Sequence, residues 1–168
     1  MTDSRTMAYI NMYAVLGTLE NLCELDSKAK ELISGMKKPV SIGFTVTDGP
    51  SATITFSSKG CRMEDGLKDC DIKIPFSSCE KFNGMIDGTV TPVPVKGFTK
   101  IGFLLKTFVA LTDRLAELMR PTEEMLKDRE TFILSTQLTF YTICVAMAQI
   151  ANQDPIGQAS ASYMVDGD

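Results

Sequence analysis

The sequence predicts an α+β domain: a five-stranded, mostly antiparallel sheet with helices packed on one face. Three observations carry that expectation. Apolar residues recur at helical spacing at both ends of the chain. Between them the period falls to two, over short runs separated by Asp-Gly and Lys-Gly turns. Each of those runs is apolar on one side and polar on the other, the pattern of a sheet with one covered and one wet face.

The elements follow in order. Tyr9, Met12, Leu16, Leu19 and Cys23 are three, four or seven residues apart, which predicts a helix over 7–25. Asp26 is placed to cap a shorter helix that ends at Gly35. Val40, Ile42, Phe44 and Val46 alternate with Ser41, Gly43, Thr45 and Thr47 in a first strand, and Asp48-Gly49-Pro50 turns the chain. Ala52, Ile54 and Phe56 mark a second strand, Cys61 and Met63 a third. Cys70, Ile72, Ile74 and Phe76 mark a fourth. Ser77-Ser78-Cys79-Glu80 has the form of a capping box opening a helix that carries Phe82, Met85 and Ile86 and stops at Gly88. Pro92 and Pro94 both lack an N–H on the same side, so "TVTPVPVKG" fits an edge strand and not a central one.

The stretch "VKGFTKIGFLLKTFVALTDRL" comes next. Ile101, Leu104, Leu105, Phe108, Leu111, Leu115 and Leu118 form its stripe, and the helix should end near Pro121. Lys106, Asp113 and Arg114 exclude it as a membrane span. Thr122 with Glu123 and Glu124 reads as the start of another helix. Residues 131–153 carry no charge and are long enough to cross a bilayer. Ser135, Thr136, Gln137, Thr139, Thr142 and Gln149 dilute the run, so it is read as a buried helix. Residues 1–153 form one domain in this reading. "IGQASASYMVDGD", within 154–168, is a tail or a last strand of the sheet. The second reading is the opening of a further unit, since it faintly echoes "TVTDG" at 45–49.

Composition narrows the function. The chain has 168 residues, enough to bury a core without staples. A net charge of −4 argues against a nucleic-acid binder and against strong attraction to anionic lipid, leaving at most transient membrane contact. There is no histidine, which removes the commonest general base and metal ligand. Cys23, Cys61, Cys70, Cys79 and Cys144 form no C-x-x-C pair, so no metal is expected, and reduced thiols in a cytoplasm are. Glu64, Asp65 and Asp69 read as a solvated turn, since a calcium loop needs more oxygen ligands at fixed spacing. No catalytic constellation emerges and no cofactor is called for; the chain is read as a binding protein and not an enzyme.

Residues 42–118 resemble the sterol carrier protein 2 domain, a lipid-carrier family. The segments that carry the resemblance are "IGFTVTDGPSATITF", "CDIKIPFSSCEKFNGMIDG", "VPVKG" and "FTKIGFLLKTFVAL". Two features depart from the family pattern: the stiff two-proline strand, and the helices over 122–151, which exceed what a minimal carrier needs. The resemblance implies an apolar tunnel between sheet and helices for a fatty acid, acyl lipid or sterol-like ligand. The expected walls are Ile42, Phe44, Ile54 and Phe56 from the sheet, Phe82, Met85 and Ile86 from the middle helix, and Leu104, Phe108 and Leu111 from the helix after Gly97, the glycine taken as its hinge. The same apolar residues would also suit a filled core, with the helices buried against a partner chain or a second copy in a homodimer.

Overall fold

The computed structural model describes residues 3–153; the expected tail or strand at 154–168 lies outside the described residues. Among the described residues the fold is α+β, with a four-stranded mixed sheet in the order β3-β2-β1-β4. The strands are β1 (Val40–Val46), β2 (Ser51–Ser57), β3 (Gly60–Asp65) and β4 (Ile72–Phe76). β1 pairs antiparallel with β2, and β2 with β3, as hairpins require. β4 lies on the other side of β1 and runs parallel to it, so the sheet is mixed where a mostly antiparallel one is expected.

The register explains how a short link achieves this. Asp65 at the end of β3 is level with Ala52 and hence with Phe44, while Ile72 at the start of β4 is level with Ile42. The chain therefore retreats by only two residues while crossing the sheet. Residues 66–71 make the crossing over the polar face, where an added Cβ on Gly43 would lie 2.4 Å from a Leu67 methyl and 2.7 Å from the Cys70 sulfur. Thr53, buried beneath the link, donates to the Gly66 carbonyl and accepts from the Lys68 N–H. A link of this length usually joins hairpin neighbours, which is why the sequence pattern suggests one.

The expected fifth strand is reduced to one bridge, Lys73 to Lys96. Val95 donates to the Lys73 carbonyl at 2.8 Å and Lys73 donates to Lys96 at 3.2 Å. The next outward-facing position of β4 is Pro75, which has no N–H to extend the ladder.

The first helix runs as α1 (Ser4–Tyr9), a π-helical segment (Ile10–Leu16) and α2 (Leu19–Leu25). α3 (Ser27–Ser34) is capped by the Asp26 carboxylate on the Ala29 N–H, as expected. In α4 (Cys79–Ile86) the cap is Ser78, one residue later than the capping-box pattern suggests; Glu80 instead accepts from the Ser4 hydroxyl and ties α4 to α1. The helix after Gly97 is composite: α5 (Ile101–Phe103), a second π-helical segment (Leu104–Phe108) and α6 (Val109–Met119). Thr122 caps only a short 3-10 turn, and the last helix, α7 (Arg129–Gln153), starts at a separate cap where Asp128 accepts from the Thr131 N–H at 2.8 Å.

α7 is not the buried helix its composition suggests. Ser135, Leu138, Thr142 and Ala151 face inward, while Phe132, Ile133, Phe140, Ile143, Met147 and Ile150 are exposed. Its length and composition would suit a bilayer, yet only 17% of its most apolar window is buried.

Candidate functional site: the apolar layer under the sheet

The covered face of the sheet is set by register. Ile42 stands beside Ile54 on one side and Ile72 on the other, and Phe44 stands between Ala52 and Ile74. Ile54 in turn meets Met63, and Phe56 meets Cys61. These rows give a continuous apolar surface, because alternate side chains of neighbouring strands point to the same side.

The composite helix lies on that surface. In an α-helix, residues five apart point in different directions. The wider π turn over Leu104–Phe108 brings Phe103 and Phe108 to the same ring: Phe56 is 5.4 Å from Phe103 and 5.9 Å from Phe108, the latter edge-on. Phe108 also lies 6.0 Å from Phe44. Ring pairs at these separations are worth about 0.5–1.5 kcal/mol each beyond their area burial.

The sequence-predicted walls mostly converge. Ile42, Phe44, Ile54, Phe56, Phe82, Leu104, Phe108 and Leu111 are buried in one core, and Met85 and Ile86 are half-buried at its margin. Phe82 pairs with Phe76 at 5.3 Å, so α4 closes the β4 side of the layer. Phe103, Ile72, Ile74 and Met63 belong to the same surface and stand outside the expected wall. For Ile72, Ile74 and Met63 the strand alternation is a sufficient signal; for Phe103 only the π turn reveals it. Leu105, expected on the helix stripe, is 63% exposed for the same reason.

Polar groups hold the composite helix at its ends. Lys100 pairs with Asp71 at 2.6 Å, and Asp71 also accepts from the Ser41 N–H at 2.9 Å. Lys100 and Ser41 hold the Asp71 carboxyl below the usual range. At the far end Arg114 grips Asp26 through two bonds of 3.0 Å and reaches Glu117 at 2.6 Å. Burial pushes the Asp26 carboxyl up, but Arg114 and the Ala29 N–H outweigh it and the net direction is down. Gly97 begins the helix at φ +92, and a Cβ there would come within 2.3 Å of the Asp71 carbonyl. Glycine is needed here for the positive φ and for the close approach of two backbones.

Elsewhere, an open depression of about 390 Å³ at the β2–β3 hairpin is lined by Thr55, Ser57, Lys59, Gly60, Cys61, Arg62 and Glu64. It includes none of the expected wall residues. The neighbouring Cys23 thiol together with burial holds the Cys61 thiol above its ordinary range. Burial likewise raises Cys79. Among the described residues no three His, Cys, Asp or Glu side chains are grouped to hold a metal.

The class that this architecture defines is an α+β domain whose mixed sheet is covered on one face by helices. No family model and no curated protein matches the chain. One solved structure similar to it is that of a conserved hypothetical protein from Thermus thermophilus, described as a candidate sterol carrier protein. It is 10% identical, with a TM-score of 0.40 over 80% of this chain and 88% of that one. A likeness that distant carries no functional argument.

Proposed function

We propose that the protein binds a hydrophobic small molecule, such as a fatty acid, acyl lipid or sterol-like compound, between the sheet and the composite helix, as a carrier and not as a catalyst. The observation that carries this reading is the polarity of the layer. Between the Lys100–Asp71 pair at one end and the Arg114–Asp26 pair at the other, Phe103 and Phe108 meet the sheet through ring contacts with Phe44 and Phe56, and Leu104 and Leu111 are buried in the same apolar cluster. Such contacts are non-directional, so an apolar ligand replaces them without stranding a polar group. The π turn in the middle of the helix supports the same reading, because such turns recur at functional sites. In this reading the rings of Phe44, Phe56, Phe103 and Phe108 fill the layer in the free state, and the helix bows outward between its anchors when ligand enters.

A second reading, an interaction module with a filled core, is favoured by the outward apolar face of α7. One experiment separates the two. The chain has no tryptophan, so Phe103→Trp gives a unique reporter in the layer. Titration with a fluorescent fatty acid should give saturable uptake near one per chain and energy transfer from that tryptophan. Native mass spectrometry of fresh protein should release a mass of a few hundred daltons on unfolding, about the size of one such ligand. An apo mass, with no saturable uptake, overturns the carrier reading.

A further inference from the structure

We infer that α7 is a homodimerisation helix, pairing antiparallel with α7 of a second copy. The argument starts from spacing. Ile133, Thr136, Phe140, Ile143, Met147 and Ile150 follow one another at three, four, three, four and three residues. That is the a/d repeat of a two-helix seam, whose residues insert into holes on a facing helix. All six positions are exposed among the described residues.

The opposite face shows that this orientation is held in place. Thr142 and Thr18 share a hydrogen bond of 2.6 Å, and Ser135 donates to the Leu118 carbonyl at 2.6 Å. Turning the apolar face inward would break both bonds and leave the Leu118 carbonyl without its Ser135 donor, while Thr18 would keep only its bond to the Ala14 carbonyl. The seam therefore stays outward, away from the core that the described residues form.

Charge and area favour a second copy as the cover. No charged residue lies between Thr131 and Gln153, so two identical seams meet without repulsion and offer nothing that selects a charged partner. The six seam residues expose on the order of 600 Å² per chain, so self-pairing that covers them fully removes at most about 1,200 Å², which reaches the lower bound of stable specific interfaces. Direction follows from the flank before the helix. Residues 123–130 carry Glu123, Glu124, Asp128 and Glu130 against Lys127 and Arg129. Parallel pairing would stack these net acidic flanks; antiparallel pairing places them at opposite ends and sets Phe140 against Ile143 of the other copy. The same acidic flank disfavours an anionic membrane as the cover.

Sedimentation equilibrium of the full chain tests the inference. The expected species has twice the 18.4 kDa mass of one chain at about 10–100 µM. Phe140→Glu should weaken association by at least about 30-fold, as removal of a central anchor does, with the monomer's melting unchanged. Adding Ile143→Lys to Phe140→Glu should restore the dimer, because the antiparallel seam sets the carboxylate introduced on each chain against the ammonium introduced on the other. A wild-type chain that remains monomeric at about 100 µM overturns the inference. So does a dimer that is indifferent to Phe140→Glu, or a monomer that instead floats with neutral phosphatidylcholine vesicles. Failure of the double variant with success of the single one overturns the antiparallel arrangement. None of these readouts depends on ligand uptake, so the outcome is separate from that of the carrier reading.

Discussion

The helix after Gly97 and α7 are both rich in apolar residues, and the fold uses them in opposite ways. The first turns its phenylalanines onto the sheet; α7 turns Ser135, Thr142 and Ala151 inward and leaves Phe132 and Phe140 outside. The difference comes from where polar groups find partners. Lys106 and Asp113 fix the wet side of the first helix, and its apolar stripe follows. α7 has no charge after Glu130, so nothing repels either face from the core, and the two hydroxyl bonds to Thr18 and Leu118 decide.

The largest expected effect breaks this comparison if it fails. Phe56→Ala removes a ring that is fully buried against Phe103 and Phe108, and should cost about 3–5 kcal/mol in urea unfolding. Phe140→Ala, on a residue 68% exposed, should change the unfolding of the monomer by less than about 0.5 kcal/mol. Equal costs would mean that the outer face of α7 is covered within the single chain.

Much of this architecture is legible in the sequence. The period-two runs locate four strands, Asp26 locates a cap, and the alternation at 42–56 and the stripe at 104–111 locate residues that share one buried core. What is not legible depends on long-range choices. The parallel placement of β4 turns on a two-residue retreat across the sheet, which no local pattern encodes. The shortness of the edge ladder involves Pro75 in β4 as well as the prolines of the edge, because the Lys73–Lys96 bridge runs on toward Pro75 on one strand and Pro94 on the other. The shift of Phe103 into the layer and Leu105 out of it needs a π turn, and helical periodicity assumes there is none. The orientation of α7 depends on Thr18, which lies 124 residues away in sequence.

A smaller effect sharpens the account of the helix anchors. Arg114→Met leaves the Asp26 carboxylate, 4% exposed, without its bidentate partner, and should cost about 2–4 kcal/mol near pH 7. The Asp26 pKa is depressed in the folded protein, so its contribution is fully present above the unfolded value of about 3.9 and is lost as pH falls through the folded value. Both chains share the unfolded state, and without Arg114 burial raises the Asp26 carboxyl, so the stability gap between wild type and Arg114→Met should be largest near neutral pH and shrink as falling pH protonates Asp26 first in the variant and then in the wild type. A gap independent of pH would show that the arginine acts through packing of its stem and not through the ion pair.

The smallest effect concerns α7 alone. Thr142→Val keeps the shape of the side chain and removes the hydroxyl that meets Thr18. The Thr18 hydroxyl retains its bond to the Ala14 carbonyl at 2.7 Å, so it is not left wholly unpaired. The expected loss is therefore about 1 kcal/mol, the net worth of one buried hydrogen bond, read as a shift in the urea midpoint at constant slope. The pairing also fixes which way the helix faces, so the variant should loosen α7 more than the rest of the molecule. Amide exchange over 131–150 should speed up while exchange in β1 and β2 stays as it was. Uniform acceleration across the sheet would place Thr142 in the global core, and the contrast between the two helices would then owe less to polar partners than to packing.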